Sequence, residues 1–128
     1  MTQNNFPKMI IVHHSGGTDA NPLADSSHHT LEIIREAHKA RGFFDPVSGE
    51  HVGYHWVIQK DGKVRQGRPE VREGAHTKGY NKVSVGICVT GNFDAKKPTD
   101  AQVTSLKKLM GEIMKRYNIP ASEIYPHR

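Results

Sequence analysis

The sequence predicts an α/β or α+β domain, a sheet flanked by helices on at least one face. Short β-branched runs alternate with segments of helical period. One Asp-Gly pair gives a hairpin signal within that alternation. No internal repeat or low-complexity tract divides the chain. The first run, Met9-Ile10-Ile11-Val12-His13, predicts a buried strand that delivers polar groups at its C-terminal end. Residues 15–29 are polar and turn-rich, a loop. Thr30 caps a helix predicted over about 31–41, where Leu31, Ile34 and either Ala37 or His38 recur at helical spacing and Gly42 stops it. A loop over 43–53 carries Pro46, Gly49 and Gly53. Tyr54-His55-Trp56-Val57-Ile58 predicts a second strand, Asp61-Gly62 the turn, and Lys63-Val64-Arg65-Gln66 its returning partner. After a glycine-containing loop over 67–82, residues 84–90 predict a third buried strand. Thr99 and Gln102 form a capping box. The helix that follows has the clearest pattern, with Val103, Leu106, Met110, Ile113 and Tyr117 at 3–4 spacing until Pro120 blocks it. Residues 124–128 read as extended or irregular.

A length of 128 residues predicts one domain, large enough to bury a core without disulfides or a structural metal. A metal here would therefore serve chemistry rather than folding. Hydrophobic and charged fractions of 35% and 24% are those of a soluble globular chain. The net charge of +5 favours polyanionic partners such as nucleic acid, anionic lipid or an anionic cell wall. The basic residues are dispersed, however, and no aromatic residues interleave on a basic strand face, so nucleic-acid binding ranks low. Cys88 is the single cysteine, which excludes an intrachain disulfide and fits synthesis in a reducing cytoplasm. The N-terminal segment has no apolar stretch of signal-peptide or membrane length, so no membrane insertion is expected. A substrate outside the membrane would then be reached after lysis or by dedicated export.

The chain holds nine histidines, of which about two to four are expected to carry function. His13 falls at the carboxyl end of a predicted strand, where α/β folds place their sites, although a polar strand terminus would look the same. Side chains alternate along a strand, so at most one of His13 and His14 faces a given site. On pattern alone His127 reads as a solvated histidine, and Tyr54 as a half-buried strand aromatic that could also donate to a developing oxyanion. Residues 75–81, Ala-His-Thr-Lys-Gly-Tyr-Asn, mix glycine, aromatic and polar side chains as cleft-lining loops do, and as ordinary surface loops also do. Cys88, between Ile87 and Val89, reads as an inert small hydrophobe. The GxSxG, P-loop, HExxH and CxxC patterns are absent.

IIVHHSGG, GYHWVIQKDGKVRQGRP, GAHTKGYN, SVGICVTGNF and a terminal PHR follow one another here. In that order they resemble the type 2 N-acetylmuramoyl-L-alanine amidases, a group that includes phage amidase-type lysozymes and peptidoglycan-recognition proteins. The resemblance covers nearly the whole chain. It implies a single α/β domain over 1–128 with a central mixed β-sheet flanked by α-helices. It also implies a hydrolase that uses Zn2+ to cut the amide between N-acetylmuramic acid and L-alanine in peptidoglycan, a bacteriolytic activity. It places zinc ligands at His13 and His127, a catalytic tyrosine at Tyr54, and substrate contacts at His14, His76, Thr77 and Asn81. The family's third ligand, a cysteine or aspartate, lies several residues past the second histidine, so it is expected beyond Arg128, with a helping lysine or threonine just before it. The resemblance makes muramyl peptides the partner, and nothing in the sequence demands more than a monomer. The alternative is a non-catalytic peptidoglycan-binding module with an incomplete metal site.

Overall fold

The computed structural model describes residues 1–18 and 20–127. The elements in chain order are β1 (Met9–His14), α1 (Leu31–Ala40), β2 (Trp56–Ile58), β3 (Val64–Gln66), β4 (Ser84–Val89), α2 (Asp100–Tyr117), a 3-10 turn (Ala121–Glu123) and β5 (Ile124–Pro126). The strands form one mixed sheet in the order β3-β2-β4-β1-β5, with only β3 antiparallel to its neighbour. This is the expected α/β class, and Ile124–Pro126 contributes an edge strand to it.

Local chemistry sets the element ends. The Thr30 hydroxyl accepts from the Ile33 amide at the start of α1. Past its end the chain turns at Gly42, whose φ of +84° places it in the left-handed region. Thr99 and Gln102 complete the capping box of α2, and Asn118 ends that helix in the left-handed conformation. The β2 ladder starts at Trp56 rather than at the expected Tyr54. The carbonyls of Tyr54 and His55 accept instead from Arg68 and Gly67, where the chain leaves β3.

The two faces of the sheet are covered differently. Ile10, Val85, Ile87, Val89 and Ile58 pack against Leu109 and Ile113 of α2. Val57 and Cys88 face the other way, against Leu31 and Ile34 of α1 and Val52. The expected stripe of α2 packs on the core through Leu106, Met110, Ile113 and Tyr117. The buried residues of the helix are Gln102, Leu109 and Ile113, while Val103 and Leu106 stay half-buried. Gln102 is drawn inside because its amide donates to the Thr90 and Ile58 carbonyls. Helix α1 leaves part of its face of the sheet open, and the loop over 67–82 closes part of that opening. Arg72 fixes this loop to the 43–53 loop by donating from Nε and Nη2 to buried Asp45. Burial pushes the Asp45 carboxyl up, but hydrogen bonds from Arg72 and Ser48 outweigh it and bring the value down to about 2.

Two histidines are fixed as neutral structural groups. His55 is fully buried; its Nε2–H donates to the Arg72 carbonyl at 2.7 Å and its Nδ1 accepts from the Gly86 amide at 3.0 Å. His38 accepts from the Gly53 amide at 2.8 Å through Nδ1. Burial lowers both from the ordinary 6.5 to about 4. Between those two values the unfolded chain binds the protons and the folded chain does not. Stability is therefore full above about pH 6.5 and declines as the pH falls towards about 4, with His55 contributing on the order of 3 kcal/mol. Urea unfolding at pH 7 and pH 4.5 measures this difference, and equal free energies at the two pH values would contradict it.

Candidate functional site

Parallel pairing builds the centre of the site. β1 and β5 run in register with Ile10 beside Ile124, Ile11 beside Tyr125 and Val12 beside Pro126. One step further on, the His127 amide donates to the Val12 carbonyl at 2.9 Å, which brings His127 alongside His13. Their rings lie 4.5 Å apart between centroids. On the other side of β1, His13 pairs in register with Cys88 of β4. Burial pushes the Cys88 thiol up to about 12, so it stays protonated and unreactive at neutral pH.

The ring of Tyr54 is 5.2 Å from that of His13, and the ring of His76 is 4.9 Å from it and edge-on. His13 Nε2 lies 2.8 Å from His76 Nδ1, and the Thr77 hydroxyl is within 3.0 Å of His76 Nδ1 and 3.2 Å of His13 Nε2. His76 Nε2 reaches the Ser84 hydroxyl at 3.2 Å. The His76 ring lies flat over Gly86, where an added Cβ would come within 2.6 Å of three of its ring atoms. This is the close approach that a glycine inside a strand permits. Burial, reinforced by the charge of His127, lowers His13 to about 3. Burial, reinforced by His13 and His55, lowers His76 to about 2. Both rings are therefore neutral at physiological pH. Tyr54 is raised by burial and by Cys88, so it remains a phenol.

A groove of about 410 Å³ opens beside this cluster, lined by Tyr54, His76, Thr77, Arg41, Lys78 and Asn81 among others. A second groove of about 370 Å³ lies beyond Thr77 and His127, with Tyr80, Tyr125 and Met9 on its walls. Of the residues named from the sequence, His13, His127, Tyr54, His76 and Thr77 come together. Asn81 lines the groove, but its side-chain oxygen is occupied in accepting from the His76 and Thr77 amides, which shapes the loop. His14 lies on the opposite side of β1, stacked on Phe93, and its Nδ1 accepts from the Phe93 amide. Strand alternation separates it from His13. Ser84, Gly86 and His38 were read from the sequence only as parts of their strand and helix, not as site residues. The glycine within an otherwise apolar strand was the available signal for the first two, whereas nothing local distinguishes His38.

The family model described as N-acetylmuramoyl-L-alanine amidase matches residues 3–128. The chain belongs to this amidase family. It is 43% identical over 89 residues to the endolysin of Klebsiella phage KP32 and 40% identical over 89 residues to that of Escherichia phage T7. In each case the match covers 66% of this chain and 55% of the relative, so the chain spans about half the length of these endolysins. Among solved structures, the N-acetylmuramoyl-L-alanine amidase LysC from Clostridium intestinale URNW superposes with a TM-score of 0.79 at 37% identity, covering 97% of this chain and 72% of that one. A mouse protein, peptidoglycan recognition protein 3, is 31% identical over 109 residues, 84% of this chain and 30% of its own length.

The donor set of this amidase-family site fits a zinc ion in part. His13 and His127 are adjacent imidazoles, and His13 is held neutral, as a ligand must be. Among the described residues no group of three His, Cys, Asp or Glu side chains is placed to hold an ion. A catalytic zinc ordinarily takes three protein ligands.

Proposed function

We propose that the protein is a zinc-dependent amidase that hydrolyses the bond between N-acetylmuramic acid and L-alanine in peptidoglycan. The convergence of His13, His127 and Tyr54 beside an open groove carries this reading. Membership of the amidase family and likeness to phage endolysins support it. Zinc would be held by His13 and His127 together with a third ligand outside the described residues. When bound, it supplies Lewis-acid polarisation of a carbonyl and acidification of water.

The chain's own residues do the rest. Tyr54, kept as a phenol by burial, donates to the oxygen of the lactyl carbonyl as charge develops there. His13 stays neutral, so its lone pair is available without loss of a proton. Thr77 and the groove wall orient the substrate, while Arg41 and Lys78 present positive charge to a carboxylate-bearing stem peptide. Chelation is expected to abolish release of L-alanine amino groups from purified cell wall, and added zinc to restore it. Amine release that survives exhaustive chelation would remove zinc from the mechanism.

One observation favours a second reading. Likeness to peptidoglycan recognition protein 3 of mouse, 31% identical over 84% of this chain, suits a peptidoglycan-binding module without catalysis. Zinc-loaded protein that sediments with cell wall yet releases no amine would select that reading.

A further inference from the structure

The hydrogen bonds along the site fix which nitrogen of His13 is free. The Ser84 hydroxyl lies 2.7 Å from the Tyr80 carbonyl, which can only accept, so the one proton of Ser84 is directed there. Ser84 Oγ can then only accept from His76 Nε2, which lies 3.2 Å away, and His76 is the Nε2–H tautomer. A neutral imidazole carries one N–H, so His76 Nδ1 is a bare acceptor. His13 Nε2, 2.8 Å from that acceptor, must bear a proton. The Thr77 hydroxyl fits the same scheme, sharing the His13 proton at 3.2 Å and donating its own to His76 Nδ1 at 3.0 Å. His13 thus keeps its lone pair on Nδ1.

We propose that Ser84 and His76 form a positioning relay that fixes the His13 tautomer, so that Nδ1 rather than Nε2 is the atom His13 offers to a metal. The consequence for metal binding rests on the zinc reading above; the tautomer assignment itself does not. The relay has the logic of an outer-shell partner. An imidazole that donates its remote N–H to an acceptor is both oriented and made more basic at the coordinating nitrogen. Here the acceptor is a second imidazole, itself oriented by a serine whose proton is committed to the backbone. Gly86 leaves the space in which that second ring lies.

Long-range proton–nitrogen NMR of the metal-free protein at neutral pH tests the assignment. His13 and His76 are both expected as Nε2–H tautomers. In Ser84→Ala, His76 loses the acceptor for its N–H, and both rings are expected to shift to tautomer mixtures. Zinc affinity of that variant is expected to fall about 10- to 100-fold. A wild-type His13 protonated on Nδ1 would overturn the relay, as would tautomers unchanged in Ser84→Ala. The wild-type spectrum can overturn the tautomer assignment even if the variant fails to fold. If the tautomers are as stated but the wild-type protein binds no zinc, the relay stands and the zinc reading fails.

Discussion

Tyr54→Phe is expected to lower turnover of peptidoglycan by roughly 10²–10³-fold, the usual cost of removing one preorganised oxyanion donor. Zinc content should not change, because the phenol is not among the proposed ligands. The ring would remain, packed 5.2 Å from His13 and 5.4 Å from His38, so the cluster keeps its shape and only a hydroxyl is lost. Initial rates of amine release from purified cell wall, with metal analysis of the same preparation, separate the two effects. Near-normal turnover would remove Tyr54 from the mechanism. Loss of zinc together with activity would make its role structural.

Gly86→Ala should have the second large effect, on stability and activity together. The new methyl group would fall 2.6 Å from the His76 ring, and the backbone has little freedom to yield because β4 is buried along its whole length between β1 and β2. Forcing a methyl into a packed interior costs about 1–3 kcal/mol. The group most able to move is the His76 ring, and its movement breaks the contact with His13 Nε2. A lower unfolding midpoint is therefore expected together with loss of wall hydrolysis. Unchanged activity in a folded Gly86→Ala protein would show that the placement of His76 does not matter.

Elements with strong local signals were readable from the residues alone. The capping box at Thr99, the Asp61-Gly62 turn and the β-branched run before His13 each carry their own physical cause, and each is present in the fold. The stripe on α2 was readable in Leu106, Met110, Ile113 and Tyr117, but the burial of Gln102 was not, because it reads as a surface residue until the Thr90 carbonyl is placed beside it. The grouping of His13, His127 and Tyr54 came from likeness to a family, since spacing gives no hint that segments so far apart meet. Likeness named His76 only as a substrate contact, and its positioning role toward His13 was beyond either source. It depends on which oxygen receives the Ser84 proton, and that is decided only when the 67–82 loop folds down over β4.

The parallel pairing of β1 with β5 has a kinetic consequence. His13 comes from the first strand and His127 follows the last, so neither imidazole finds the other until almost every intervening segment has taken its place. Contacts between such remote segments form late and slowly, because the loop entropy is spent before they return any stabilisation. A nascent or half-folded chain would therefore carry scattered histidines and no assembled cluster.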